Sequence, residues 1–195
     1  MSEEKQFLRT LLRARRRSLS LADVRALSQR IAERLIMMPQ FVRADSLVLY
    51  NANDHEVETD LLWQAAIQQG KSVYYPRISA DRASLEFIRR RPDDTLIPGT
   101  FGILIPSGDE LLTGLQPTDV VLTPGVGFDE KGHRLGRGKG YYDRAFRGVL
   151  SGAVRIAPAY ELQIVPTIPA GPADEQVDWI VTEKRKMECR MQNDE

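Results

Sequence analysis

One stretch of the chain, residues 129–144, constrains the fold and the chemistry more than any other. Its sequence is D-E-K-G-H-R-L-G-R-G-K-G-Y-Y-D-R, and it follows the apolar run Val120, Val121 and Leu122. Such a run predicts a buried strand. Glycine at the alternate positions 136, 138 and 140 permits backbone conformations closed to other residues and a close approach to a ligand. We therefore expect a buried strand that leads into a ligand-binding loop.

The loop has the composition of an anion-binding site. Arg137 and Lys139 alternate with the glycines, and a helix is predicted to begin at Tyr141. Consecutive backbone N–H groups, two cations and a helix N-terminus together favour a phosphate chain as the ligand. Asp143 comes two residues later, and Mg²⁺ is usually held by one or two carboxylates together with substrate phosphates. The stretch therefore predicts a phosphate site with a metal ligand beside it.

Two widespread phosphate-binding motifs do not fit this loop. A Walker A loop requires Ser or Thr after Gly-Lys, but Gly140 follows Lys139. The dinucleotide motif G-x-G-x-x-G fails because Tyr141 occupies the position of the third glycine. The residues alone leave two interpretations open, a phosphate loop and a glycine-rich surface loop with solvated charges.

Residues 127–129 and 134–143 resemble the signature of the 5-formyltetrahydrofolate cyclo-ligases, also called methenyltetrahydrofolate synthetases. Lys5 and Arg9, four residues apart, are similar to the nucleotide contact near the N-terminus of that family. Residues 56–59, E-V-E-T, resemble its acidic substrate segment. The resemblance spans nearly the whole chain, while the central stretch is the part that is specific to the family.

The C-terminal part of the chain extends the resemblance. Asp174, residues 177–178 and residues 181–182 are similar to the family's last segment. The activity implied is ATP- and Mg²⁺-dependent conversion of 5-formyltetrahydrofolate to 5,10-methenyltetrahydrofolate, with release of ADP and phosphate. Transfer of the γ-phosphoryl group to the formamide oxygen turns a poor leaving group into phosphate, and the folate N10 then closes the ring. Such chemistry requires positioning and charge stabilisation more than covalent catalysis.

The resemblance also implies roles for individual residues. Lys139 and Arg137 are predicted to be catalytic because they offset charge on the transferred group, and Asp143 and Asp174 are predicted to hold Mg²⁺. The predicted ATP contacts are Lys5, Arg9, Arg134, Leu135, Gly136, Arg137, Gly138, Lys139, Gly140, Tyr141 and Tyr142. The predicted substrate contacts are Asn51, Glu56, Arg137, Gly138, Lys139, Gly140 and Tyr141. Structural alternatives are a loop turn for Asp174 and simple packing for the tyrosine pair.

The N-terminal helix, predicted at residues 3–17, has a cationic side. Its apolar residues Phe7, Leu8, Leu11 and Leu12 are expected to pack inward, and its other side carries Lys5, Arg9, Arg13 and Arg16 or Arg17. We interpret the arginines from 13 to 17 as surface charges or weak phosphate steering. A nucleic-acid patch is the alternative, although no aromatic residue interleaves them.

The charge balance and the cysteine content limit the kinds of binding partner and the cellular location that we expect. The 27 Lys and Arg residues equal the 27 Asp and Glu residues, so no global field attracts nucleic acid or a membrane surface. The single cysteine, Cys189, cannot form an internal disulfide, and we find no signal peptide or membrane-spanning apolar run. We expect a cytoplasmic monomer that takes small-molecule substrates and binds neither nucleic acid nor membrane.

Apolar runs and helical periods alternate along the chain. Strands are predicted at residues 47–50, 71–76, 85–88, 120–122, 153–157 and 179–181. Further helices are predicted at residues 58–69, at 142–150 and from a capping box of Ser20 and Asp23 to Pro39, while residues 92–115 are interpreted as an ordered loop. Pro76 is expected to stop a strand, and Pro158 to end or bulge another at Ala157.

This alternation predicts one α/β domain over residues 1–195, with helices on both faces of a mostly parallel sheet in three layers. By resemblance, the fold is similar to that of certain sugar-phosphate isomerases and CoA transferases. An isomerase or another phosphate-ligand enzyme on this fold, which needs no ATP, remains an alternative.

Overall fold

The computed structural model describes residues 3–189, and its elements alternate as the sequence predicts. The helices are α1 (Glu3–Arg17), α2 (Leu21–Ile36), α3 (Pro39–Arg43), α4 (Asp60–Gln68) and α5 (Tyr141–Phe146). The strands are β1 (Ser46–Val48), β2 (Ser72–Ile78), β3 (Leu85–Arg89), β4 (Leu96–Pro98), β5 (Leu104–Pro106), β6 (Val120–Leu122), β7 (Gly127–Phe128), β8 (Arg134–Leu135), β9 (Val154–Pro158), β10 (Trp179–Val181) and β11 (Lys186–Glu188).

A seven-stranded sheet in the order β11-β10-β9-β6-β1-β2-β3 forms the centre of the fold. The strands from β10 to β2 pair in parallel, and the outer strands β11 and β3 are antiparallel to their neighbours. Strand β1 has β2 on one side and β6 on the other. The chain therefore reverses its direction of progress across the sheet at β1, and the predicted mostly parallel sheet is confirmed.

Helices cover both faces of this sheet. Because successive side chains of a strand point to opposite faces, Leu47 of β1 packs in a buried cluster with α2, α3 and α4. Its neighbour Val48 packs in a second cluster with Ala145 and Phe146 of α5. The three-layer α/β/α arrangement predicted from the sequence is confirmed.

Helix α1 lies beside the sheet rather than on one of its faces. Leu12 is buried against Val126 and Leu135, next to the short hairpin of β7 and β8, and Leu8 packs at the edge of the same cluster. This contact buries a stripe narrower than the one predicted. Phe7 is 67% exposed, so its predicted inward packing is wrong. Arg16, predicted as a surface charge or weak phosphate steering, is instead 1% exposed.

The ends of helix α2 follow local rules. Ser20 Oγ accepts a hydrogen bond from the N–H of Asp23, and the Asp23 carboxylate accepts one from the N–H of Ser20, so the predicted capping box is confirmed. The helix ends before Pro39, as expected, but Pro39 also begins α3, which the sequence analysis did not predict. Proline suits the first turn of a helix because its missing N–H has no intrahelical acceptor there. No helix within residues 3–189 combines the length and the apolar character needed to cross a membrane.

Two prolines that were expected to end strands are themselves strand residues. Pro76 pairs with Phe87 of β3, beyond Tyr74, the last residue of β2 that pairs with β1. Pro158 pairs with Val181 of β10, beyond Ile156, the last residue of β9 that pairs with β6. The prediction for Pro76 is wrong, because β2 continues to Ile78, whereas β9 ends at Pro158, one residue later than expected. Each proline lies where its strand has a partner on one side only, so the missing N–H breaks no hydrogen bond to that remaining partner.

Short strands without a periodic pattern were not predicted. The segment interpreted as an ordered loop contains the hairpin of β4 and β5. Strands β7 and β8 have two residues each, and β11 lies in a polar segment of the chain. Two or three residues are too few for an alternation of apolar and polar side chains to be recognised.

The turn between β7 and β8 is built around one buried carboxylate. Asp129 Oδ1 accepts hydrogen bonds from the backbone N–H groups of Lys131, at 3.1 Å, and of His133, at 3.0 Å. Asp129 Oδ2 accepts from the N–H of Ile168 at 2.9 Å and lies 2.9 Å from His133 Nδ1. The carboxylate thus ties the turn to the segment that precedes Asp174, and it holds the strand from which the glycine loop begins.

We predict that Asp129→Asn lowers the free energy of unfolding by about 1–3 kcal/mol, because an amide NH₂ group would face backbone donors in a buried site. Urea denaturation of both proteins measures the difference. Asp109→Asn, at an exposed position, is the control and should change stability by less than about 0.5 kcal/mol. Equal stability of Asp129→Asn and the unaltered protein would contradict this account of the turn.

Candidate functional site

The candidate site lies where the carboxyl ends of β1 and β6 meet. The chain crosses the sheet in opposite directions from these neighbouring strands, and ligands of open α/β sheets bind at such a switch point. The loop after β1 carries Asn51 and Glu56, and the segment after β6 leads through β7 and β8 to the glycine loop at residues 136–140. The topology thus brings together two segments that are far apart in the sequence.

An ion pair between the buried carboxylate of Glu56 and the exposed side chain of Arg137 joins the two segments. Glu56 Oε1 accepts a hydrogen bond from Arg137 Nη2 at 2.9 Å across 81 residues of sequence. Glu56 is 7% exposed, and its second carboxylate oxygen accepts from the N–H of Asn53 at 3.2 Å. Its backbone carbonyl accepts from Tyr160 Oη at 3.2 Å. The predicted substrate carboxylate and the predicted catalytic arginine are therefore in direct contact.

The glycine loop uses conformations in which other residues are strained. Gly138 has φ of 95° and Gly140 has φ of 64°. Gly140 occupies the N-cap position of α5, which begins at Tyr141 as predicted. The carbonyl of Gly136 accepts a hydrogen bond from Arg9 Nε at 2.9 Å, which joins the loop to α1. Lys139 is exposed in this loop.

The predicted nucleotide contact Lys5 pairs with the predicted metal ligand Asp174. Lys5 Nζ lies 2.6 Å from Asp174 Oδ2, which also accepts from the N–H of Gly171 at 2.7 Å. Partial burial raises the pKa of Asp174, but the hydrogen bonds from Lys5 and Gly171 lower it further, so the pKa lies below its ordinary value. Burial lowers the pKa of the nearby Arg9, which the negative charge of Asp174 partly offsets.

The other predicted metal ligand, Asp143, lies close to the same segment. Asp143 Oδ1 accepts from Arg134 Nη2 at 3.0 Å and from the backbone N–H of Glu175 at 3.2 Å. Because Glu175 directly follows Asp174, the two aspartates belong to neighbouring parts of one surface. Within residues 3–189, no three His, Cys, Asp or Glu side chains form a group able to hold a metal. A metal here would need substrate oxygens as further ligands, as is usual for Mg²⁺.

The other residues predicted to contact a ligand make different contacts within the protein. Tyr141 Oη donates to the carbonyl of Arg82 at 3.0 Å, and Asn51 Nδ2 donates to the carbonyl of Leu104 in β5. Leu135 has its side chain in the apolar cluster under α1, so only its backbone is available to a ligand. The Tyr142 ring packs 5.9 Å from that of Phe146.

Of the eight buried side-chain atoms that lack a hydrogen-bond partner in the described chain, three belong to predicted ATP contacts. Within the described chain, Arg9 Nη1, Arg134 Nε and Tyr142 Oη are buried and have no hydrogen-bond partner. Burial also raises the pKa of Tyr142 well above its ordinary range. Unsatisfied buried groups are rare and are often explained by a ligand or an ordered water. These three atoms fit a site that is completed by a polar ligand.

A second cluster of charges beside the site was not predicted. Three arginines of α1 reach the same carboxylate, Asp54, and we name the group formed by Arg13, Arg16, Arg17 and Asp54 the arginine clamp. The spacing of these arginines by three and four residues shows that they share one face of α1. The sequence offered no way to recognise Asp54 as their common partner.

Comparisons with known proteins agree on one family. The model of the 5-formyltetrahydrofolate cyclo-ligase family matches residues 1–183. A Caenorhabditis elegans protein named probable 5-formyltetrahydrofolate cyclo-ligase is 30% identical over 194 residues, covering 93% of this chain and 92% of its own. The 5-formyltetrahydrofolate cyclo-ligase of Escherichia coli strain K12 is 30% identical over 181 residues, covering 91% of this chain and 100% of its own.

Solved structures give the same result. The NMR structure of Aquifex aeolicus 5,10-methenyltetrahydrofolate synthetase has a TM-score of 0.84 at 30% identity, covering 97% of this chain and 94% of that chain. The 5,10-methenyltetrahydrofolate synthetase from Mycoplasma pneumoniae has a TM-score of 0.73 at 26% identity, covering 92% of this chain and 98% of that chain. The similarity in fold thus extends over almost the full length of both chains.

We predict that the Lys5–Asp174 pair makes stability depend on pH. Because the pKa of folded Asp174 lies below its ordinary value of 3.8, the ionised carboxylate stabilises the fold above that value, and this contribution is lost as the pH falls through the lower folded pKa. The free energy of unfolding should therefore exceed that of Asp174→Asn at pH 7, and the difference should shrink below about pH 5. Urea denaturation across this range measures it, and a difference independent of pH would contradict the pairing.

Proposed function

The chain belongs to the 5-formyltetrahydrofolate cyclo-ligase family, and from this premise we propose that it converts 5-formyltetrahydrofolate and ATP to 5,10-methenyltetrahydrofolate, ADP and phosphate. One observation carries the proposal. The contact between Glu56 and Arg137, at 2.9 Å, joins the loop assigned to the folate with the loop assigned to the phosphates. A reaction between a folate and a nucleotide needs these two sites side by side.

The nucleotide is assigned to the space between the glycine loop and α1. The backbone of Gly138 and Gly140 is free of side chains that would keep phosphate oxygens away from the N–H groups. Lys5 and Arg9 approach from α1, and the hydrogen bond from Arg9 to the Gly136 carbonyl fixes the position of the helix relative to the loop. The unpartnered Arg9 Nη1 is a donor available to the nucleotide.

Mg²⁺ is assigned to Asp143 and Asp174. Each carboxylate already lies beside a cation, Arg134 for Asp143 and Lys5 for Asp174. These pairs support the view that both positions favour a positive charge. Asp143 and Asp174 would hold Mg²⁺, which when bound would neutralise part of the negative charge of the phosphates. The lowered pKa of Asp174 keeps its carboxylate ionised and able to bind a metal at neutral pH.

The folate is assigned to Glu56 and its surroundings. A carboxylate accepts hydrogen bonds only, so it suits the amino and ring N–H donors of a pterin. Asn51 contributes an amide beside the same loop, and Tyr141 contributes an aromatic side chain from the glycine-loop side. Because Glu56 also holds Arg137, a bound folate would lie directly beside a cation that faces the phosphates.

The proposed reaction has two stages. The formamide oxygen attacks the γ-phosphorus, the bond to the bridging oxygen breaks, and ADP leaves. N10 then attacks the formyl carbon, loses its proton, and expels the oxygen as phosphate, which leaves the methenyl bridge between N5 and N10. Lys139 and Arg137 stabilise the negative charge that the transferred phosphoryl group carries in the first stage.

We predict that Lys139→Ala lowers kcat by about 10²–10³-fold, the usual effect of removing one charge-stabilising donor from a transition state. The side chain is exposed, so the free energy of unfolding should not change. The near-ultraviolet absorbance of the methenyl product, with and without ATP, measures turnover. Lys186→Ala, on the exposed edge strand β11, is the control and should keep full activity.

Absence of product with the unaltered, folded protein would reject the proposed function. Full activity of Lys139→Ala would instead reject the role of Lys139 while the proposed function stands.

We also predict that Gly140→Ala raises the KM for ATP by about tenfold, since a side chain at φ of 64° strains the phosphate loop by roughly 1–2 kcal/mol. Its Cβ would lie 3.1 Å from Arg144 Nη1. Gly152→Ala is the matched control, because Gly152 has φ of 83° and no atom within 4 Å of an added Cβ. Both variants should lose similar stability, and only Gly140→Ala should alter the KM for ATP.

A further inference from the structure

The arginine clamp lies outside the set of predicted ligand contacts. Asp54 Oδ2 accepts hydrogen bonds from Arg13 Nε at 3.2 Å and from Arg16 Nη2 at 3.1 Å. Its other oxygen accepts from Arg17 Nε. Partial burial raises the pKa of Asp54, but the hydrogen bond from Arg17 and the charges of Arg16 and Arg13 lower it further, so the pKa lies below its ordinary value.

Arg16 connects the clamp to the candidate site. Its side chain is almost fully buried, with Nη2 on Asp54 and Nη1 3.3 Å from the carbonyl of Gly125. The same Nη1 lies 3.8 Å from Glu56 Oε1. A buried guanidinium is stable only when nearby carboxylates compensate for the lost hydration. Asp54 and Glu56 are therefore coupled through one buried cation.

The backbone between these carboxylates is strained. Asp54 has φ of 57° and His55 has φ of 58°, in the left-handed region that few residues with a side chain enter, although Asp and His do so more often than most. Two such residues in succession persist only where the surrounding structure holds them. The arginines of α1 hold the Asp54 side chain of this turn. Within the turn, the N–H of Glu56, the next residue along the chain, donates to the Asn53 carbonyl at 3.2 Å.

We infer that Asp54 is a positioning residue, which through the arginine clamp holds the turn at residues 54–55 and so directs the Glu56 carboxylate into the folate site. The inference rests on the proposed function. Asp54 itself touches no reacting group. Loss of its charge would release the turn and misplace Glu56, whereas the phosphate loop would keep its structure.

The test is the variant Asp54→Asn, because asparagine tolerates the left-handed conformation and has nearly the same size, but lacks the charge. The KM for 5-formyltetrahydrofolate should rise on the order of tenfold to a hundredfold, the effect of a misplaced binding group. The KM for ATP should stay within about twofold, because Lys5, Arg9 and the backbone of the glycine loop are unchanged. The kcat at saturating folate should fall by a smaller factor than the KM for folate rises, since Arg137 loses only its contact with Glu56.

Glu110→Gln is the matched control. Glu110 is also held by two arginines, Arg89 and Arg91, but Arg89 belongs to the edge strand β3, which β2 separates from β1. This variant should leave all three kinetic constants unchanged. If Asp54→Asn does not fold, Arg17→Gln removes one half-exposed member of the clamp and should raise the KM for folate in the same direction.

Hydrogen exchange of the ligand-free proteins gives a readout that does not depend on activity. Amides of residues 51–58 should exchange faster in Asp54→Asn, while those of β6 and α2 should not. Unchanged exchange, or an unchanged KM for folate despite lower stability, would overturn the inference. If the unaltered protein makes no product, the proposed function fails, and the exchange measurement still decides whether Asp54 holds the turn.

Discussion

The pairing of β1 with β2 on one side and β6 on the other determines most of this structure. It places the carboxyl ends of two strands with diverging connections next to each other, so a crevice forms between the loops that follow them. Glu56 and Arg137 meet there although 81 residues separate them. The apolar side chains of β1, alternately in contact with α2 to α4 and with α5, fix the register on which this meeting depends.

Charges in the site are neutralised in pairs. Glu56 is held by Arg137, Asp143 by Arg134 and Asp174 by Lys5, and each pair joins a residue assigned to the folate or the metal with one assigned to the nucleotide. In the ligand-free protein, opposite charges of the site are therefore in direct contact. This contact lowers the electrostatic free energy that it costs to hold like charges close together. Under the proposed function, substrates and metal would replace these partners rather than enter a site of unbalanced charge.

The sequence predicted the parts of the molecule that rest on periodicity or on a specific motif. Apolar runs identified β1 and β6, and the alternating glycines identified a loop in which Gly138 and Gly140 have positive φ. Features that rest on distant partners were missed or misjudged. Arg16 belongs to a stripe that resembles a solvated face, and only the folded chain brings Asp54 to it. Phe7 was expected to be buried because the helical period of apolar residues indicates which side of a helix faces the protein. The period does not indicate how wide the buried surface of that helix is.

Pro158 also has a consequence for the shape of the crevice. The last ladder bond between β6 and β9 runs from the N–H of Thr123 to the carbonyl of Ile156 at 2.9 Å, and in a parallel ladder the next donor along β9 would be residue 158. Proline supplies no N–H, so the two strands cannot form the next hydrogen bond of the ladder toward their carboxyl ends. The ladder between β6 and β9 therefore ends at this level, and the backbone that follows Thr123 leaves the sheet and continues as the segment that borders the crevice.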